Sequence, residues 1–264
     1  MNFPEPRPKW YVRGALRRQG IYWLPNAITT CGLFAGFYAI VQAMNLRFEL
    51  AAMGIFAAMI FDGLDGRVAR LTRTQSDFGA EYDSLADMVA FGAAPALVLY
   101  EWELKGMGKL GWLAAFVYCA CAALRLARFN TNIEQVDKRF FQGLPSPAAA
   151  GLIAGFVWAM QAYEIRGLPW LAWVLSLVAG FTMVSNIRFY SGKEINLRKA
   201  VPFRVVVLMA FSVVVIVQIA DNLPEVLFSV FLMYAASGYV MWAAKYAKRK
   251  EKPVTPPRKE PGSG

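Results

Sequence analysis

Residues 62–87 read DGLDGRVARLTRTQSDFGAEYDSLAD. A membrane-crossing helix needs about 20 mostly apolar residues, and the sequence predicts one span over 49–72 and another over 81–100, joined by the polar, basic middle of this stretch. Asp62 and Asp65 are three residues apart and Asp83 and Asp87 are four apart, so each pair lies on one face of its helix. At 1.5 Å per residue, Asp65 and Asp87 each sit about 10 Å from the end of the helix nearest the turn. Two antiparallel helices therefore aim four carboxylates at one pocket. Ionisable groups at membrane depth are costly and mark function. Four like charges in a low dielectric demand a counter-charge. Oxygen-only donors select hard divalent cations, Mg²⁺ or Mn²⁺, and four carboxylates suffice for two ions.

The rest of the chain fits this reading. It has 264 residues, is 57% hydrophobic, and has a mean hydropathy of +0.38; soluble domains are about 45–50% apolar. Eight spans are expected: 24–43, 49–72, 81–100, 109–128, 146–163, 168–187, 203–220 and 225–244. The fold class is all-α, a polytopic helical bundle. Residues 1–18 are polar and basic, without the apolar core of a cleavable signal peptide, so the chain is expected to insert through its own spans. The net charge of +10 is distributed by membrane side rather than gathered for nucleic acid. With both termini inside, only Arg47, Lys105, Lys109 and Arg166 of the 28 Lys and Arg fall outside, the cytoplasmic bias of multi-pass proteins. The stretch KWYVRGALRRQGIYW (9–23) reads equally as an interfacial amphipathic helix or as an ordinary basic flank. The Pro- and charge-rich end after Tyr246 reads as a disordered tail. Cys31, Cys119 and Cys121 lie in apolar runs and read as small buried hydrophobes. Histidine is absent, so the general base is another residue type.

Between the aspartates lies a phosphate theme. Gly66 allows close approach to the backbone, Ala69 is small, Arg70 can grip a phosphate with two hydrogen bonds, and Gly79 opens the next span. Together with the carboxylates they match D-x2-D-G-x2-A-R-x8-G-x3-D-x3-D at Asp62, Asp65, Gly66, Ala69, Arg70, Gly79, Asp83 and Asp87, with no departure. This resembles the motif of the CDP-alcohol phosphotransferase family. The resemblance implies six core helices, a homodimer, and two metal ions held by Asp62, Asp65, Asp83 and Asp87. It implies that Asp87 also accepts the acceptor's hydroxyl proton and that Gly66, Ala69, Arg70 and Gly79 line the CDP-lipid site. Asn26 and Thr29 resemble positions near the cytidine in that family; a plain helix start accounts for them equally well.

The segments DSLADMVAFGAAPA (83–96), RLARFN (125–130), FQGLPSPAAAG (141–151) and SNIRFYSGKEIN (185–196) are similar to the integral-membrane bacterial branch of the family whose acceptor is L-serine. That similarity implies transfer of a phosphatidyl group from CDP-diacylglycerol to L-serine at a bacterial inner membrane, with the site facing the cytoplasm. Glycerol phosphate or inositol phosphate remains an alternative acceptor, and a divalent-metal transporter is the alternative of another class. Arg125, Arg128, Asn130 and Arg188 are candidates for holding serine; for the arginines, snorkelling at the cytoplasmic face is the competing account. The expected division is a basic segment over 1–23, the core over 24–190, two added helices over 191–245, and a tail over 246–264.

Overall fold

A computed structural model of the protein describes residues 9–131, 140–190 and 222–250. Helix α1 (Lys9–Met44) and helix α2 (Phe48–Thr72) form an antiparallel pair. A third span is built from helix α3 (Asp77–Asp87), a π-helical segment (Met88–Ala93) and helix α4 (Ala94–Trp102). Helix α5 (Lys109–Thr131), helix α6 (Ser146–Ala162), helix α7 (Pro169–Val184) and helix α8 (Leu223–Lys250) follow. Strand β1 (Phe140–Gln142) pairs antiparallel with strand β2 (Arg188–Tyr190), with Gln142 opposite Arg188.

Small residues set how closely these helices approach, as expected where lipid gives no hydrophobic drive between helices. Ala35, Ala39 and Ala43 of α1 are buried, as are Ala51, Ala52, Ile55 and Ala58 of α2. A Cβ placed on Gly54 would lie 3.0 Å from the Ala35 carbonyl oxygen. One placed on Gly36 would lie 2.6 Å from Ala90 Cα in the π segment, so only glycine fits that crossing. Helix α6 is buried along nearly all its length and contacts α2, α4, α7 and α8. Outward-facing Phe34, Phe37, Trp112, Phe116, Trp170 and Phe181 are exposed, as lipid-facing side chains must be.

The π segment changes the register of the third span. Wider turns of this kind loosen the regular backbone pairing and gather at functional sites. Here the Phe91 carbonyl accepts a 3.1 Å hydrogen bond from the fully buried Tyr118 hydroxyl of α5.

Four helical stretches among the described residues are long and apolar enough to cross a membrane: Trp23–Met44, Asp77–Trp102, Lys109–Thr131 and Leu223–Ala243. Helix α2 has 25 residues but carries the charges of the site, while α6 and α7 are apolar and shorter, at 17 and 16 residues. The chain is a multi-pass membrane protein. Each expected span has a helical counterpart except 203–220, which lies outside the described residues. Three boundaries differ from expectation. Helix α1 runs unbroken from Lys9, so 9–23 is continuous with the first span. Helix α7 stops at Val184, where Ser185 turns extended towards β2. Helix α8 continues to Lys250, past the expected start of the tail; residues 251–264 lie outside the described residues.

Candidate active site

The turn between α2 and α3 builds the site. Arg73 ends α2 in the left-handed conformation (φ 54°) and its N–H reaches the Ala69 and Arg70 carbonyls. The Thr74 N–H also donates to the Ala69 oxygen, at 3.0 Å. Ser76 caps α3, its Oγ accepting from the Gly79 N–H at 3.1 Å, which satisfies an otherwise orphaned donor of the helix start. The two aspartate pairs are thereby folded against each other.

Carboxylate oxygens of Asp62, Asp83 and Asp87 all lie within 4.8 Å of one another. Asp65 stands slightly apart and is buried, accepting a 2.7 Å hydrogen bond from Thr29 Oγ1 of α1. All four aspartates line one constricted cleft of about 10 Å³ with Thr29, Gly32, Ala58, Ala86, Ala90 and Phe91. That is room for about one water-sized occupant. Two unit negative charges 4.8 Å apart repel by about 3 kcal/mol even at an effective dielectric constant of 20. Three such groups with oxygen donors only therefore suit a hard divalent cation, which the donor set fits.

The cleft adjoins a larger cavity of about 380 Å³. Asn26, Thr29, Gly66, Ala69, Arg70 and Gly79, the residues singled out in the sequence, all line it, with Asp65 and Asp83. Two glycines matter sterically. A Cβ on Gly79 would press on Ser76 Oγ at 3.1 Å and Asn26 Oδ1 at 3.4 Å. A Cβ on Gly66 would meet the Arg70 guanidinium at 3.5 Å, so Arg70 curls back over Gly66. Pro25, Thr74, Gln75, Ser76, Asp77 and Ala80 also line the cavity. Sequence reasoning passed over them; the Ser76 cap three residues before Gly79 was the available signal.

The four polar candidates from α5 and β2 diverge. Arg125 is half-buried and interacts electrostatically with Asp62 and Asp87. Its Nη1 donates to the fully buried Ser146 Oγ at 2.6 Å, and its guanidinium lies 5.9 Å from the Phe129 ring centre. Arg128 turns elsewhere. It donates to the Val184 carbonyl at 3.1 Å, Gln142 Oε1 at 2.6 Å and Asn186 Oδ1 at 2.5 Å, which pins the β1–β2 ribbon and the end of α7 to α5. Asn130 bonds Ser84, next to Asp83, at 3.0 Å. Arg188 is exposed on β2. Arg125 and Arg128 lie three residues apart, about 60° round the helix and so on neighbouring positions of one face, but their guanidinium groups find separate partners.

The family model described as CDP-alcohol phosphatidyltransferase matches residues 22–184, and the chain belongs to that family. Proteins named CDP-diacylglycerol–serine O-phosphatidyltransferase are similar to it. One from Helicobacter pylori strain J99 is 35% identical over 238 residues, covering 88% of this chain and 97% of the relative. One from H. pylori strain 26695 is 39% identical over 178 residues, covering 67% and 75%. One from Methanocaldococcus jannaschii is 38% identical over 169 residues, covering 64% and 74%.

Proposed function

We propose that the protein transfers the phosphatidyl group of CDP-diacylglycerol to L-serine, releasing CMP and phosphatidylserine. The observation that carries this reading is the adjacency of two features. The Asn26–Thr29–Gly66–Ala69–Arg70–Gly79 cavity is large enough for a nucleotide headgroup, and it opens beside the Asp62–Asp83–Asp87 cluster. The serine-transferring relatives support the choice of acceptor.

In this reading Arg70 and the small residues Gly66, Ala69 and Gly79 receive the CDP-lipid pyrophosphate. The serine hydroxyl oxygen forms a bond to the phosphorus that bears the diacylglycerol, and the bond from that phosphorus to the CMP oxygen breaks. Asp87 takes the hydroxyl proton. Asp62, Asp65, Asp83 and Asp87 are the residues that would hold divalent cation, Mg²⁺ or Mn²⁺, as a pair of ions, with the cleft taking one and the adjoining cavity, which Asp65 and Asp83 also line, giving room for the other. When bound, such ions neutralise the carboxylates and stabilise negative charge on phosphate oxygens. Arg125, beside Asp87, receives the serine carboxylate. Arg128, Asn130 and Arg188 act on the frame around it.

We place the aspartate-bearing end of the bundle at the cytoplasm. Arg67, Arg70, Arg73, Arg125, Arg128 and Arg188 sit at that end, opposite Arg47, Lys105, Lys109 and Arg166. The membrane is a bacterial inner membrane, and the assembly a homodimer. The catalytic core covers 24–190, with 191–245 as an addition to it.

The test is CMP release and lipid product from purified protein with CDP-diacylglycerol, Mg²⁺ or Mn²⁺, and L-serine, glycerol phosphate or inositol phosphate. Phosphatidylserine formation with serine alone is the expected result. Product with another alcohol would reassign the acceptor. No CMP release with any alcohol, combined with metal uptake in proteoliposomes, would favour a transporter.

A further inference from the structure

Helix α8 lies beyond the family-matched residues 22–184, yet it reaches the site. It docks on α6 through two glycines. A Cβ on Gly155 would lie 2.9 Å from Phe228 Cα, and one on Gly151 would lie 2.7 Å from Phe231 Cζ. Pairing 155 with 228 and 151 with 231 makes the seam antiparallel. One further turn, about 5 Å, brings the start of α6 level with Tyr234. That start is Ser146, the residue that holds Arg125. Tyr234 accordingly lies within charge-interaction range of Arg125. Its ring centre is 5.9 Å from that of the buried Phe189 on β2. Phe189 in turn fills the space beside Gly238 of α8, where a Cβ would come within 2.2 Å of it. Tyr234 is therefore fixed at a corner where α6, α8 and β2 meet.

An arginine recognises a carboxylate through two parallel N–H bonds from a planar fork, so the orientation of the plane decides the strength of the grip. The Arg125 fork donates to Ser146 at one edge and lies near the Phe129 ring, and the charges of Asp62 and Asp87 and the Tyr234 hydroxyl act on it electrostatically. We infer that Tyr234 is a positioning residue for acceptor choice: α8 uses it to set the plane of Arg125 so that the guanidinium meets the carboxylate of the incoming amino alcohol. Acceptor selection then rests in part on a helix outside the family-matched residues.

This inference rests on serine being the acceptor. The test compares wild type with Tyr234→Phe, which keeps the ring contact with Phe189 and removes the hydroxyl. L-Serine and ethanolamine, which is serine without its carboxylate, are the two acceptors. Wild type is expected to prefer serine strongly. In Tyr234→Phe the serine KM should rise at least fivefold and the serine-over-ethanolamine preference should fall by a similar factor, with the KM for CDP-diacylglycerol within twofold of wild type. An unchanged preference overturns the inference, as does an equal loss of kcat with both acceptors, which would make Tyr234 a packing residue only. Wild type that releases no CMP with serine would remove the functional reading itself, a result separate from any effect of the substitution.

Discussion

Thr29 Oγ1 of α1 lies 2.7 Å from Asp65 Oδ2 of α2, and both residues are buried. This bond sets Asp65 apart from the other three aspartates and fixes it at the border between the cleft and the larger cavity, both of which it lines. Hydrogen bonds to charged groups contribute about 1.5–3 kcal/mol. Thr29→Val, which keeps the shape and removes the hydroxyl, should raise the KM for CDP-diacylglycerol by about tenfold or more, while Thr29→Ser stays near wild type. Steady-state kinetics with varied CDP-lipid measures this. A Val variant with unaltered KM would leave the bond without functional weight.

Three carboxylates within 4.8 Å of one another suit a divalent cation that shares the cleft. Activity should vanish in EDTA and return on adding excess Mg²⁺ or Mn²⁺. Full turnover in chelator would exclude the metal-dependent reading.

Asp87→Asn should abolish turnover while leaving CDP-lipid binding within about threefold, because it removes the proton acceptor and keeps the volume. Asp62→Asn and Asp83→Asn should weaken metal and CDP-lipid binding together. Equilibrium binding of a CDP-lipid analogue, set beside kcat, separates these outcomes. Equal binding losses in all three would deny Asp87 a distinct role as base.

Arg128→Lys should lower thermal stability. A lysine cannot reproduce a fork that reaches Val184, Gln142 and Asn186 together. A loss of about 1–3 kcal/mol corresponds to a fall of several degrees in Tm, with the serine KM unchanged. A raised serine KM at unaltered Tm would move Arg128 into the acceptor pocket.

Gly36 and Gly63 make a paired test of close approach. Gly36→Val places a side chain 2.6 Å from Ala90 Cα and should cost about 1–3 kcal/mol by overpacking. Gly63 has nothing within 4 Å of an added Cβ, so Gly63→Ala should be neutral or stabilise the helix by about 0.5–1 kcal/mol. Thermal unfolding of the detergent-solubilised protein compares them. Similar destabilisation in both variants would mean that α1 and the π segment are not in tight contact.

The helices and the aspartate cluster were legible in the sequence because their signals are local. Span lengths follow from apolar runs, and Asp62, Asp65, Asp83 and Asp87 stand out because charge at membrane depth is costly. The partners of Arg125 and Arg128 were not legible. They come from Ser146, Gln142, Val184 and Asn186, distant in sequence, and no periodicity records which of two nearby arginines turns towards which loop. The role of Thr29 was only half legible: its position resembled a cytidine neighbour, but its bond to Asp65 depends on how α1 lies along α2. The β1–β2 ribbon was missed because three-residue strands have too little pattern to separate them from loop.

The π segment at Met88–Ala93 means that residues 77–102 cannot be drawn on a single helical wheel. Each extra residue in a helical turn rotates everything after it by about 100°, so a wheel phased on Asp83 and Asp87 assigns the wrong faces to Val98, Leu99 and Trp102, all buried. The span behaves as two short rods with independent phases, coupled through Phe91 and the Tyr118 hydroxyl. A one-residue deletion between 88 and 93 would restore an unbroken helix and at the same time swing the aspartates out of alignment with the buried face of α4. The third span's extra residue is thus what allows one transmembrane rod to meet two incompatible rotational demands.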